Sequence, residues 1–336
     1  MGWMGFEAGY LKLYRSGELE RRVRRLEARL ARCDICPREC GVNRLAAETG
    51  FCRSGRLPIV SSYCDHHGEE PAISGNRGSG TVFFGNCNLR CVYCQNYQIS
   101  QSPDAQRGRE MDCRILAEKM VYLQDELGCH NINLVSPSHF VPQIVRAVFE
   151  AVPLGLKVPL VYNTNAYDSV DTLRELDGVV DIYLPDIKYS SNVLAMKYSQ
   201  ARGYVGYARS AIKEMHRQVG DLVVDDRGVA QRGVIVRHLI LPNDIAGSEE
   251  SLTWLAREVS RTITVSIMAQ YYPCFRAPRV PLLSRKISAA EYLRVVKLVG
   301  ELGLENGWIQ GFESPENYLP DFEAEGHPFE TKNDGN

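Results

Sequence analysis

From residue 81 the chain alternates short runs of β-branched, aromatic and other apolar residues with segments of helical periodicity, and this alternation limits its possible folds more than any other feature. The runs are TVFF (81–84), NINLVS (131–136), PLVYNT (159–164), VDIYLPDIK (180–188), GVIVRHLIL (233–241) and TVSIMAQYY (264–272), with a candidate seventh in GWIQGF (307–312). Between them, apolar residues recur at helical spacing: Leu116, Met120, Leu123 and Leu127; Ile144, Val145 and Val148; Tyr204, Ala208, Ile212, Met215 and Val219; Leu252, Leu255 and Val259. A last helix opens with a capping box from Ser288 to Glu291 and stops at Gly303. Strand and helix in regular alternation give a parallel sheet with helices outside. Because many runs are apolar on both faces, the strands are expected to be covered on both sides, as in a barrel or a doubly wound sheet. One interruption, VVDDRGVAQRGV, reads as a hairpin turning at Asp225 to Gly228.

Upstream lie an amphipathic helix over about residues 17 to 31, built on Leu19, Val23, Leu26 and Leu30, and then CDICPRECGVNRLAAETGFC, too rich in cysteine and turn residues for regular structure. The tail from Glu313 is polar and is expected to wrap the surface. We therefore divide the chain into an N-terminal helix and cysteine-rich metal-binding segment (1–75), an α/β barrel (76–312) and a polar tail (313–336). With 336 residues, 44% of them hydrophobic, there is enough apolar material for a barrel-sized core and a smaller appendage. The formal charge of −2, from 39 basic and 41 acidic residues, gives no support to a dedicated nucleic-acid binder. No stretch reaches the roughly 18 apolar residues of a membrane span, and the first residues lack the pattern of a signal peptide, so the expected location is the cytoplasm. Eleven cysteines in a reducing compartment point to metal binding rather than disulfides, the more so as seven fall in two tight clusters.

The second of these clusters is CNLRCVYCQN, with Cys87, Cys91 and Cys94 directly after the first barrel strand, at the end where such barrels carry their active sites. Three thiolates can hold three irons of a [4Fe–4S] cluster and leave the fourth iron open for chemistry. Zinc is the rival occupant, but a structural zinc site is normally closed by four ligands, and the nearest further thiol downstream, Cys113, lies beyond a polar loop.

The segment resembles the CxxxCxxC signature of the radical S-adenosylmethionine (SAM) superfamily, and within it the activating enzymes of glycyl-radical enzymes, such as pyruvate formate-lyase activase; together with HHGEEPAISGNRGSGTVFF it looks like an uncharacterised activase-like branch. The likeness runs over roughly residues 81 to 275 and implies a partial (β/α)6 TIM-like barrel. It implies Cys87, Cys91 and Cys94 as cluster ligands, SAM bound through its amino and carboxylate groups at the open iron, and hydrogen abstraction by a 5′-deoxyadenosyl radical. Tyr93 would touch the adenine, and Asn96, Asn163, Asn165, Asp186, Lys188 and Arg237 would be cofactor contacts. Lys188 would serve as a cationic partner for a carboxylate, and Asp186 as a hydrogen-bond acceptor or cation ligand. Two departures stand out. The second strand ends in NLVSPSHF where the superfamily has a Gly-Gly-Glu-like stretch, so Ser136, Ser138 or backbone carbonyls must take the SAM amino group. The sixth ends in MAQYYPCF where the activases have a histidine.

The first cysteine cluster, Cys33, Cys36, Cys40 and Cys52, offers four soft ligands suited to zinc or a second iron–sulfur cluster, with plain reduced thiols as the bland reading. Several residues carry two readings. Cys274, after the sixth strand, is a candidate hydrogen donor or extra cluster ligand, although the resemblance asks for neither. His139 is either a substrate or SAM contact or a polar loop histidine, and His66 and His67 either complete a metal site or cap a turn. His238 reads as a satisfied core histidine, Tyr271 and Tyr272 as pocket wall, and Cys113 and Cys129 as buried thiols.

The expected activity is reductive SAM cleavage and hydrogen abstraction from a protein, with flavodoxin or ferredoxin as electron donor. The same chemistry on a small molecule or RNA is the first alternative, with YLKLYRSG and KYSQARGYVGYARS as base-stacking candidates. The second is a non-catalytic iron–sulfur electron carrier.

Overall fold

The computed structural model describes residues 6–312, 320–323 and 327–329. Its centre is one twisted sheet of strands β1 (Val60–His66), β2 (Ser79–Phe84), β3 (Ile132–Val135), β4 (Leu160–Thr164), β5 (Ile182–Pro185), β6 (Val223–Val224), β7 (Ala230–Leu239), β8 (Thr264–Met268) and β9 (Gly307–Ile309). The order is β1-β2-β3-β4-β5-β7-β8-β9, with β6 paired to β7 as a short hairpin. From β2 to β9 every neighbouring pair along this order is parallel. The sheet curls without closing, as a partial barrel.

Each expected strand run is present, GWIQGF included, and the hairpin turns where the sequence placed it, Gly228 N–H donating to Asp225 O at 2.9 Å. The helices Cys113–Asp125, Val141–Ala151, Tyr204–Val219, Ser248–Glu258 and Ala289–Glu301 cover the outside. The last has its capping box formed, with the Ser288 and Glu291 side chains exchanging hydrogen bonds with each other's backbone N–H.

The sheet begins earlier than the expected boundary at residue 76. Strand β1 lies antiparallel on β2, Val60 opposite Phe84 and His66 opposite Ser79. Its sequence, VSSYCDH, shows no clean alternation, and only Val60, Cys64 and His66 are buried in this edge strand. After β1 the chain turns back into the barrel, and the short helix Pro71–Ser74 plugs the end where the strands start. There Ala72 and Ile73 pack on Val161, Ile182 and Ile235, the lowest inward-facing residues of β4, β5 and β7.

The N-terminal helices Gly9–Arg15 and Glu18–Ala28 lie against the outer layer. Gly9 N–H donates to Asp181 Oδ1 at 3.0 Å, and Arg146 holds Glu27 through paired bonds of 2.8 and 2.7 Å. Gly9 approaches so closely that a Cβ there would stand 2.5 Å from Gly178 O. Of the tail, the described residues fold back on the first strands: Phe322 meets the Phe83 ring edge-on at 5.1 Å and Phe329 stacks on His66 at 4.1 Å. In the two tyrosine-rich segments Tyr10, Tyr198 and Tyr204 are buried in the core, while Tyr207 is exposed.

Candidate active site

Inward-facing side chains alternate along the strands and stack in layers. On β5 the order is Ile182, Leu184 and then Asp186, with Lys188 beyond; on β7 it is Ile235, Arg237 and Leu239. The lowest layer is sealed by Ala72 and Ile73. Above it lies a cavity of about 500 Å3 whose wall includes Cys87, Cys91, Cys94, Asp186, Lys188 and Arg237.

The three-cysteine loop is held by backbone bonds rather than by regular structure. Asn86 takes the left-handed conformation (φ 63°), and its N–H reaches Ile99 O at 2.8 Å. Arg90 and Val92 N–H donate to Ser199 O and Tyr198 O at 3.0 and 2.9 Å. Each sulfur then meets polar donors. Leu89 N–H and Asn165 Nδ2 point at Cys87 Sγ (3.4 and 3.6 Å), Ser199 Oγ at Cys91 Sγ (3.0 Å), and Ser100 Oγ lies 3.2 Å from Cys94 Sγ. Burial pushes Cys91 and Cys94 up to about 11, with Lys188 opposing the shift at both, so a bound metal is what would draw the thiolates out. Sulfurs that already receive hydrogen bonds are prepared for thiolate ligation of a cluster.

Below the loop runs a chain of charges. Lys188 Nζ lies 2.6 Å from Asp186 Oδ2, and Arg237 Nε 2.8 Å from Asp186 Oδ1. Arg237 also donates to Asn163 Oδ1 at 2.6 Å and reaches Glu69 Oε2 at 3.3 Å. Burial alone would raise the Asp186 carboxyl, but Arg237 and Lys188 outweigh it and hold the group below the usual carboxylate range. Burial likewise pulls Lys188 down, and Asp186 and Cys91 more than reverse this, so Lys188 stays charged.

The cavity wall also takes in Tyr93, Asn96, Ser136, Asn163 and Asn165. Tyr93 donates to Tyr189 Oη at 2.8 Å and packs edge-on against Tyr271. Tyr271 and Tyr272 are pocket wall, as expected. Ser138 stands elsewhere, 3.1 Å from Thr164 Oγ1 in a buried group around Asp168. Cys274 does not face the cavity. Its thiol points at Cys94 O and Tyr93 O (3.5 and 3.7 Å), bracing the loop from behind. His238 is a satisfied core histidine between Ile187 O and Ser248 Oγ. His66 lines the cavity under Phe329, and His67 pairs with Asp65 at 3.3 Å.

Glu69 and Glu70 were not legible as site residues. They follow β1 and precede the plug helix, a stretch with no strand alternation to place it inside a barrel. Both are inside: Asn133 Nδ2 donates to Glu69 Oε1 at 2.9 Å, and Glu70 is buried on the cavity floor.

The N-terminal thiols Cys33, Cys36, Cys40 and Cys52 surround a second, small cavity together with Arg38, Arg44 and His139. Phe51 N–H donates to Cys40 Sγ at 3.4 Å, and Gly50 is required beside it, since a Cβ would stand 2.6 Å from that sulfur. His139 is thus remote from the main cavity; its Nε2 bonds to Gly85 O at 3.1 Å and its Nδ1 has no partner. The segment is clasped to the cysteine loop by Arg38, whose Nε donates to Asn88 O at 2.9 Å and whose guanidinium lies 3.5 Å over the Phe51 ring.

An uncharacterised protein of Methanocaldococcus jannaschii, MJ0674, is 29% identical over 283 residues, covering 81% of this chain and 75% of the relative. A second from the same organism, MJ0808, is 30% identical over 123 residues, 32% of this chain and 35% of the relative. Among solved structures, HydG, a maturase of the [FeFe]-hydrogenase, superposes with a TM-score of 0.47 at 14% identity, over 71% of this chain and 53% of its own. Streptococcus suis SuiB bound to S-adenosylmethionine gives a TM-score of 0.43 at 10% identity, over 67% of this chain and 48% of its own. This chain thus spans about half the length of these two solved structures. The family model of the radical SAM superfamily matches residues 81–243, from strand β2 and its cysteine loop to just past the end of β7, so that this part of the chain is similar to that superfamily.

Proposed function

We propose that this protein is a radical SAM enzyme that removes a hydrogen atom from a protein substrate, in the manner of glycyl-radical activating enzymes. The observation that carries the enzymatic reading is the single cavity in which three hydrogen-bonded thiols stand over Lys188, Asp186 and Arg237. An electron carrier has no use for such a cavity beside its cluster. Cys87, Cys91 and Cys94 would hold the [4Fe–4S] cluster, and the bound pair of cluster and SAM supplies reductive cleavage of SAM and hydrogen abstraction. Lys188 offers a charged donor to a carboxylate near Cys91, Asp186 keeps that ammonium in place, and Tyr93, Tyr189 and Tyr271 keep water from the upper wall.

The protein-substrate reading rests on the likeness of CNLRCVYCQN and LPDIK to the activases. A flavodoxin or ferredoxin is the proposed reductant, and the cytoplasm the proposed location, in keeping with eleven unpaired cysteines. No helix among the described residues is long and apolar enough to cross a membrane. For the N-terminal four thiols we propose a zinc ion or second iron–sulfur cluster. Arg38 Nη2 and Arg44 Nη2, both buried at that cavity without partners, fit the negative charge of a tetrathiolate complex.

The test is electron paramagnetic resonance of the reduced, SAM-loaded enzyme mixed with candidate glycyl-radical proteins encoded beside it. A protein-borne glycyl radical that requires Cys91 supports the reading. Turnover confined to small molecules overturns the protein-substrate part.

A further inference from the structure

The cavity floor gathers more carboxyl groups than cations. Three carboxyl groups, Glu69, Glu70 and Asp186, stand around two cations, Arg237 and Lys188. Arg237 is fully engaged by Asp186, Asn163 and Glu69, and Lys188 by Asp186. Glu70, only 8% exposed, leaves its Oε2 with no hydrogen-bond partner, and Asn133, which holds Glu69, leaves its Oδ1 unpartnered as well. Two buried acceptors without donors are costly unless a ligand supplies N–H groups.

Glu70 and the three thiols line one cavity, with the Arg237–Asp186–Lys188 chain of ion pairs running through it. Glu70 caps the plug helix Pro71–Ser74 at the start of the barrel strands, and Ser266 of β8 lies beside it. Cys91 and Lys188 are neighbours at the opposite, C-terminal end.

Resting on the radical SAM reading above, we propose that the substrate carries a primary ammonium group, received by Glu70 on the barrel floor. One positive charge there balances the third carboxylate and supplies the missing donors. Without ligand, burial raises the Glu70 carboxyl and favours its protonated form.

The test uses the reconstituted holoenzyme with SAM and n-butylammonium as probe, followed by isothermal titration calorimetry. Saturable binding to wild type that is about tenfold or more weaker in Glu70→Gln, with no binding of neutral n-butanol, is the expected result. A capped lysine, Nα-acetyl-lysine-N-methylamide, is titrated in parallel. If it binds as well, the ammonium is that of a lysyl side chain; if only n-butylammonium binds, the substrate is a small amine; both support the proposal. Equal binding to wild type and Glu70→Gln, no binding of any ammonium, or loss of SAM affinity in Glu70→Gln overturns it, the last by assigning Glu70 to SAM. Formation of 5′-deoxyadenosine by wild type from SAM alone reports separately on the radical SAM reading.

Discussion

Arg237 and Asp186 meet across neighbouring parallel strands, Nε to Oδ1 at 2.8 Å, and tie the floor of the cavity to its cysteine end. The pair does not stand alone: Asp186 also holds Lys188, and Arg237 also holds Glu69 and Asn163. Truncating the one group that touches both carboxylates leaves Glu69 without a cation and Asp186 with Lys188 alone. Arg237→Met is therefore expected to cost about 3–5 kcal/mol, read by urea unfolding of the metal-free protein. A loss below about 1 kcal/mol, the range of a surface pair, would show that solvent reaches the network.

Ser199 Oγ accepts from Tyr189 Oη at 2.6 Å and donates to Cys91 Sγ at 3.0 Å. Hydrogen bonds to ligand sulfurs raise a cluster's reduction potential. Ser199→Ala is expected to lower that potential by roughly 30 to 60 mV, the one-electron equivalent of about a tenfold shift or less. Redox titration followed by electron paramagnetic resonance measures it, and an unchanged potential would mean that Cys91 is not a ligand.

Asp181 accepts from Gly9 N–H and Leu160 N–H at 3.0 and 3.1 Å, fastening the first helix to the barrel. Burial raises its carboxyl from 3.8 to about 7, against the pull of those two bonds. The folded chain thus keeps a proton that the unfolded chain releases, so this group's contribution to stability falls as pH rises from about 4 to about 7 and is level above that. Asp181→Asn removes the titration. Thermal unfolding by circular dichroism should show wild type losing Tm across this window relative to the variant, and parallel curves would contradict the assignment.

Most of the barrel was legible because buried parallel strands announce themselves as apolar runs, and the Ser288 capping box fixed the start of the last helix to the residue. Strand β1 and Glu69–Glu70 were not. This edge strand has no clean alternation, and the acid pair enters the barrel only because Ala72 and Ile73 behind it plug the end. In the site, spacing located the three thiols and the resemblance to the activases pointed to the strand-end residues Asn163, Asp186 and Arg237, but neither could tell a cavity-facing Ser136 from Ser138 turned toward Thr164. His139 was placed on the rim, whereas its neutral ring is buried under the N-terminal cysteines, held there through Gly85 O and by Arg44, which donates to His139 O at 2.7 Å.

The N-terminal site makes its own claim on metal. Protein in which Cys87, Cys91 and Cys94 are all alanine should retain zinc, or iron with sulfide, by mass spectrometric metal analysis. Adding Cys36→Ser should remove it. A metal content that vanishes with the first three substitutions alone would leave the N-terminal thiols as reduced cysteines.

The central claim is tested most directly by anaerobic reconstitution with iron and sulfide, addition of dithionite and SAM, and mass spectrometry of the products, with Cys91→Ala as control. The account predicts 5′-deoxyadenosine from the reconstituted wild type and none from Cys91→Ala. A wild-type protein that carries its cluster, binds SAM and yet forms no 5′-deoxyadenosine would contradict it and favour the electron carrier.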